Sequence, residues 1–490
     1  MKKTWTRVTI VSLVCLASAL YFFIDRASFR VARLFQHHAI LQREKAVPVW
    51  GWGKPGRDVH VFLEKTGDST FETESFRTTI PADGSWIVKL KPHEAGGPYR
   101  LIVEGHWKKI TINNVYFGDV WLCTGQSNMA MRVREADHAA TAIAGADNPS
   151  IRHFKIPKKG SPGLARDFEK GKWETCSPET VGEFSAVGYY FAKALQEDRD
   201  LPIGLLNAST GSSRIESWIP AGCFGYGSPV EAEKAIAAML ESEKLEHTRN
   251  MPTCLYNSMI FPARQFPVKG ILWWQGESNA HQDEAYNYRN MFPCLISSWR
   301  EAWGDSLLPF LYVQLANVAM SPEGQDDHLD WPMLRESQSV VLQQFAQVAQ
   351  IVSFDISDPT DIHPGNKQDI GKRLALAAQR LAYGEDVVYS GPVFQSMENL
   401  GAKLRLRFAP RGSGLATKTA EDVLKGFTIA GPDRIFHPAN AVIEGNEIIV
   451  WSEKVSGPVA ARYAWKRSPV DANLCNAEGL PAPPFRTDDW

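Results

Sequence analysis

The chain has 490 residues, and at roughly 100–200 residues per domain it predicts about two to four domains. Hydrophobic residues make up 44% and charged residues 22%, which supports a sizeable core and excludes a largely disordered chain. The 53 basic and 55 acidic residues leave a formal charge of −2, so charge gives no reason to expect nucleic acid or an anionic membrane as partner.

The first seven residues carry Lys2, Lys3 and Arg7, and Val8 to Ile24 is then free of charge. A basic start before an apolar run predicts an export signal. Ala17-Ser18-Ala19 supplies small residues for cleavage, yet Leu20 to Ile24 beyond them is still apolar. The run sits at the short limit for a spanning helix, so an uncleaved membrane anchor is the other reading. Lys2, Lys3 and Arg7 before it balance Arg26, Arg30 and Arg33 after it, and charge asymmetry does not choose. Cys15 lies in this segment. Cys123, Cys176, Cys223, Cys254, Cys294 and Cys475 remain for pairing in an oxidising compartment, and sequence singles out no pair. No CxxC, HxH or HExxH spacing occurs, so neither a catalytic metal nor another cofactor is expected. Nothing in the sequence sets the oligomeric state.

Residues 29–114 read as short strands. Val47 to Gly56 sets β-formers against turn residues, Val59 to Leu63 alternates, Ala82-Asp83-Gly84 marks a turn, and Trp86 to Leu90 is another strand. This spacing predicts a small β-sandwich. Sixteen tryptophans suit aromatic cores in β domains, or a few flat platforms for sugar rings.

From Val115 the pattern changes, and residues 115–384 alternate apolar runs with helical stretches. Val120-Trp121-Leu122, Ile203 to Leu206, Gly270 to Trp274, Phe310 to Leu315 and Ile351 to Phe354 read as strands. Ser185 to Asp198, Pro229 to Lys244, Ala285 to Trp303 and Asp369 to Tyr383 read as helices. Such alternation predicts an α/β domain whose parallel sheet is covered on both faces. In residues 385–490 strands return, as in Leu404 to Phe408 and in Ile448 to Trp451 after the turn Gly445-Asn446-Glu447, which predicts a C-terminal β unit.

Active groups of open α/β sheets gather beyond the carboxyl ends of the strands. Three loops there are chemically loaded. Gly125-Gln126-Ser127-Asn128-Met129 puts a serine at a strand-to-helix turn, either as an exposed nucleophile or as a helix cap. It lacks the second glycine of the G-x-S-x-G elbow, which argues against an α/β-hydrolase. Thr210-Gly211-Ser212-Ser213-Arg214 offers the Gly211 N–H to an oxyanion, or is a plain turn. Gln275-Gly276-Glu277-Ser278-Asn279 offers the Gln275 amide to an oxyanion and Glu277 to a histidine, or is a polar loop. Among twelve histidines, His363 in Asp361-Ile362-His363-Pro364 lies between the last strand and the last helix of this domain. Residues two apart on an extended segment share a side, so Asp361 is placed to orient the imidazole.

Together, Gly125 to Met129, Trp273 to Asn279 and Asp361 to Pro364 closely resemble the sialate O-acetylesterases of the SGNH hydrolase clan. Ile40 to Arg43, Trp50 to Gly53, Tyr256 to Ile260, Val313 to Ala316, Arg462 to Trp465, Asn473-Leu474 and Pro484 to Asp488 extend the likeness over about residues 29 to 490. The resemblance implies a serine esterase that removes O-acetyl groups from sialic acid or a related carbohydrate through an acetyl-serine. Ser127 would be the nucleophile and His363 the base, with an oxyanion hole from the Ser127 and Gly211 N–H groups and the Gln275 side chain. Much of the clan has an acid three residues before the histidine, where Thr360 stands here. Asp361 matches the D-x-H-P pattern of the sialate esterases. Glu277 is the alternative acid by likeness to acetylxylan esterases. A polysaccharide acetylesterase, and a non-catalytic sugar-binding protein, are the competing functional readings.

Overall fold

The computed structural model describes residues 29–490, apart from 226–227, 244–247, 319–328, 360, 410 and 419–422. The predicted export segment, 1–28, and Thr360 lie outside the described residues.

The N-terminal unit is a two-sheet sandwich. Strands β1 (Arg30–Val31), β3 (Val47–Trp52) and β6 (Ser85–Leu90) form one sheet. In the other, β4 (Asp58–Lys65) pairs with β5 (Glu74–Thr79) and β7 (Gly96–Glu104), and β7 pairs with β8 (Lys109–Gly125). The short β2 (Ile40–Gln42) runs parallel to β8. Period-two alternation drives this: Val59, Val61 and Leu63 of β4 are buried, as are Trp86, Val88 and Leu90 of β6, whereas Ile87 between them is exposed.

Strand β8 is where one unit becomes the other. Its first half pairs antiparallel with β7, and its second half pairs parallel with β11 (Ile203–Ser209) and β12 (Gly270–Trp274). The change of pattern expected at 114/115 therefore falls inside a single continuous strand. Buried Asp119 braces the crossing, accepting from Gln42 Nε2 at 2.9 Å, Arg43 Nε at 3.1 Å and the Tyr383 hydroxyl at 2.8 Å.

The central sheet runs β10 (Trp173–Cys176), β9 (Asn148–Lys155), β11, β8, β12, β13 (Phe310–Val313), β14 (Val348–Ile351). All pairs are parallel except the edge pair β10–β9. Helices are α1 (Ser127–Ala130), α2 (Ala139–Ala144), α3 (Ala186–Gln196), α4 (Pro229–Glu243), α5 (Gln282–Trp303), α6 (Asp330–Ser339), α7 (Val341–Gln344) and α8 (Lys367–Ala382). Every residue of β12 is buried, because successive side chains enter different cores: Ile271 and Trp273 one, Leu272 and Trp274 the other. Burying each large side chain contributes about 1.5–3 kcal/mol. Trp121, Trp218, Trp273, Trp274 and Trp299 are fully buried in this α/β layer, so the tryptophan excess serves the α/β domain more than the β units.

One expected strand is corrected here, two strands are added, and one cysteine pair is defined. The strand expected at Ile351 to Phe354 is instead β14, because β13 ends at Val313 opposite Ile351 and offers no partner beyond; Phe354–Ile356 makes a single 3₁₀ turn. Strands β9 and β10 went unrecognised, since buried Arg152 and His153 interrupt the apolar pattern of β9. Of the six cysteines available for pairing, Cys223 and Cys294 form a disulfide, whereas Cys123, Cys176, Cys254 and Cys475 are free and buried.

The C-terminal unit packs two antiparallel sheets. Val393–Asn399, Leu404–Ala409, Glu447–Trp451 and Asn440–Glu444 form one, and Phe436–Pro438, Phe427–Ala430, Ala460–Tyr463 and Phe485–Arg486 the other. Fully buried Arg335 of α6 ties this unit to the α/β layer. Its guanidinium donates to the carbonyls of Leu315 and Ala316 on one side and of Lys466 and Arg467 on the other.

Candidate active site

The chain builds β9 and β11 on one side of β8, then crosses to build β12 on the other. That reversal leaves a crevice at the carboxyl ends of the strands. Register aligns its rim: Gly125 at the end of β8 pairs with Ser209 of β11 and with Trp274 of β12. Two backbone bonds close the rim, Thr210 N–H to the Gly125 carbonyl and Gln126 N–H to the Trp274 carbonyl, both at 2.9 Å. The three chemically loaded loops are therefore neighbours because their strands are.

Ser127 opens α1, with Gln126 at the N-cap position and no side-chain cap. The serine is thus the first helical residue and does not serve as the cap. Its own N–H is one of the first-turn donors that have no intrahelical acceptor. The Gly211 backbone lies alongside, such that a Cβ there would sit 3.6 Å from the Ser127 Cβ. The Gln126 side chain accepts from the N–H groups of Gly276 at 3.3 Å and Ser278 at 3.4 Å, fastening the β12 loop to the serine turn.

His363 arrives on the segment between β14 and α8, and its Nε2 stands 2.8 Å from the Ser127 Oγ. Asp361 Oδ1 accepts from the His363 backbone N–H at 2.7 Å and lies 3.6 Å from its Nδ1. The latter is an ion-pair contact, longer than a hydrogen bond. Burial holds the imidazole below its ordinary pKa of 6.5; Asp361 opposes this and Lys367 adds to it.

Two expected roles do not fit the geometry. The Gln275 side chain is fully buried, and its amide donates to the Ser213 carbonyl at 3.0 Å and to Asn279 Oδ1 at 2.8 Å, while its oxygen accepts from Tyr288. Both amide hydrogens are committed, so none is left for an oxyanion. Glu277 does not join His363 either; its Oε1 accepts from Asn128 Nδ2 at 2.6 Å. Burial raises the Glu277 pKa.

Sequence reasoning passed over several residues the structure brings to the site. Asn128 Nδ2 also donates to the Ile362 carbonyl at 3.0 Å, and its Oδ1 accepts from Lys367 Nζ at 2.6 Å. Lys367 is fully buried, its Nζ 4.3 Å from the centre of the Trp274 ring, and burial pulls its pKa down to about 7. Asn128 stands in a quoted block and Lys367 three residues beyond another, but only tertiary structure joins them. A cleft of about 490 Å³ opens over Ser127, Gly211 and His363 and is flanked by Arg132, Lys155 and Lys158. Lys155 ends the unrecognised strand β9.

A serine hydroxyl hydrogen-bonded to a histidine, at the switch point of a parallel sheet and beneath an open cleft, has the layout of a carboxylic ester hydrolase. The model of the family described as carbohydrate esterase, sialic acid-specific acetylesterase, matches residues 117–380. The sialate O-acetylesterases of Pongo abelii and Homo sapiens are each 28% identical over 504 residues, covering 95% of this chain and 94% of theirs. The crystal structure of a carbohydrate acetylesterase from Xanthomonas citri is 42% identical, with a TM-score of 0.85, and covers 94% of this chain and 100% of that one. The chain belongs to the sialic acid-specific acetylesterase family of carbohydrate esterases, and it hydrolyses O-acetyl esters of carbohydrates.

Proposed function

We propose that the enzyme works by acyl transfer through Ser127, on O-acetyl esters of sialic acid or a related sugar. The observation that carries the mechanism is the 2.8 Å contact between Ser127 Oγ and His363 Nε2. His363 takes the hydroxyl proton as the oxygen attacks the acetyl carbonyl, and the N–H groups of Ser127 and Gly211 receive the oxyanion. His363 then protonates the departing sugar oxygen. Water, deprotonated by the same imidazole, releases acetate from the acetyl-serine. Asp361 holds the imidazole and stabilises its positive charge.

The base must be neutral to accept a proton. With its pKa held below 6.5 by burial, the acid limb of kcat/KM is expected below pH 6.5. Asp361 is the one group raising that pKa, so Asp361→Asn shifts the limb to lower pH. Because Asp361 is exposed, its pairing contributes about 1 kcal/mol, and the plateau is expected to fall about fivefold. A pH–rate profile of both proteins checks this; a collapse confined to Glu277→Gln would transfer the acid's role to Glu277.

For the substrate, Lys155 and Lys158 beside the cleft favour a sugar bearing a carboxylate, Arg132 being paired there with Glu135, and the vertebrate relatives are named for sialate. Acetate release from O-acetylated sialic acid is expected to exceed that from acetylated xylan. The opposite order would favour the second reading, a polysaccharide acetylesterase. Covalent labelling of Ser127 by a serine-directed phosphonate, one per chain, tests the mechanism apart from the sugar.

We also infer export. The Cys223–Cys294 disulfide supports it, since such bonds persist in oxidising compartments. Unfolded without reductant, the exported protein should expose the four thiols of Cys123, Cys176, Cys254 and Cys475, with Cys15 added if its segment is retained. Titration of Cys223 and Cys294 as well would overturn the reading.

A further inference from the structure

Asn128 is the residue after the serine, and its side chain grips the carbonyl of the residue before the histidine. Its Nδ2 donates to the Ile362 carbonyl at 3.0 Å, so one amide spans from the Ser127 turn to the His363 segment. These stretches are 236 residues apart in sequence and meet at the 2.8 Å contact. The Asp137 N–H bond to the Gly365 carbonyl is a further link between the two stretches.

The amide is itself held in one orientation. Glu277 Oε1 accepts from Nδ2, and Lys367 Nζ donates to Oδ1, both at 2.6 Å. A flipped amide would turn its NH₂ toward the amine and its oxygen toward a carboxylate and a carbonyl, so flipping is opposed at both ends. Asn128 is fully buried, as is Lys367, and Glu277 is 7% exposed, so water does not compete for these bonds. Lys367 begins α8, which packs on α3 so closely that a Cβ on Gly371 would lie 2.6 Å from the Tyr190 Cβ. Glu277 follows β12 directly. The Asn128 amide is therefore referenced to the sheet on one side and to the last helix on the other.

We propose that Asn128, clamped between Glu277 and Lys367, is a positioning residue that sets the separation of Ser127 and His363. The proposal rests on the reading of that pair as nucleophile and base. None of the three side chains touches the substrate; they act through the peptide at Ile362. Misplacing a reacting group by about 1 Å costs about 10²-fold in rate, and losses of that size are expected in kcat with KM little changed.

The test uses Asn128→Asp, which keeps the shape but presents an oxygen to Ile362, and Lys367→Met, which removes the donor to Oδ1. In each, a serine-directed phosphonate is followed to completion. The endpoint counts folded sites and the rate constant reports how reactive each site is. Both variants are expected to label about 10²-fold more slowly per site, with kcat on p-nitrophenyl acetate falling in parallel. A lowered endpoint with a wild-type rate constant in the surviving fraction would show a purely structural role and overturn the proposal. So would a rise in KM that accounts for the whole loss. Failure of the underlying reading has a separate signature: wild-type enzyme that is not labelled at Ser127.

Discussion

Ser127→Ala is expected to lower kcat on p-nitrophenyl acetate by about 10⁴–10⁶-fold, the range for removing the nucleophile of a hydrolytic triad. In the proposed mechanism the hydroxyl supplies the oxygen that bonds to the acetyl carbon, and Ser127 Oγ is the cleft group that bonds His363 Nε2 among the described residues. The fold should not notice the change. The Ser127 Oγ bonds to His363 alone among the described groups, and a half-buried Ser→Ala change away from the cores alters stability by roughly 0.5 kcal/mol or less. Steady-state kinetics alongside thermal melting check both halves. Activity within about tenfold of wild type, in a preparation with an unchanged melting midpoint, would remove Ser127 from the mechanism.

Gly125→Ala is expected to act at the opposite level, on folding. Gly125 sits at φ +129°, a conformation costly for any residue with a Cβ, and that Cβ would lie 2.1 Å from the Trp274 carbonyl oxygen. Because Gly125 is paired on both sides, with Ser209 and Trp274, neither neighbouring strand can retreat without breaking the central sheet. Backbone strain of about 1–3 kcal/mol and overpacking of about 1–3 kcal/mol together remove about 2–6 kcal/mol. Low soluble yield, a lowered melting midpoint and few phosphonate-reactive sites should result. Gly211→Ala is the internal control, since its added methyl meets Ser127 only at an ordinary 3.6 Å contact; it should melt like wild type. An alanine at 125 that melted normally would show that the turn can relax.

The parallel sheet was legible because strands such as β12 and β13 are buried on both faces and read as unbroken apolar runs, as in Ile271 to Trp274. The loops that follow those strands were legible for the same reason, and they led to Ser127, Gly211 and His363. What sequence concealed is where a side chain points once backbone position is known. Gln275 follows β12 as expected, but Ser213, Asn279 and Tyr288 claim its amide. Asn128 and Lys367 carry no signal of their own in the sequence, because their meaning lies in a bond between them across 239 residues. Strand β9 was hidden by Arg152, which breaks the apolar run although its buried guanidinium is satisfied by the Asn114 carbonyl at 2.6 Å.

The shared strand β8 has a practical corollary for dissecting this enzyme. A shortened version starting where the α/β pattern begins, at Val115, would cut through a strand instead of a linker. It would strip the serine-bearing strand of its antiparallel neighbour and Asp119 of both Gln42 and Arg43. What looks like an accessory module is the upstream anchor of the reactive turn, so the two must be produced, crystallised and engineered as one piece.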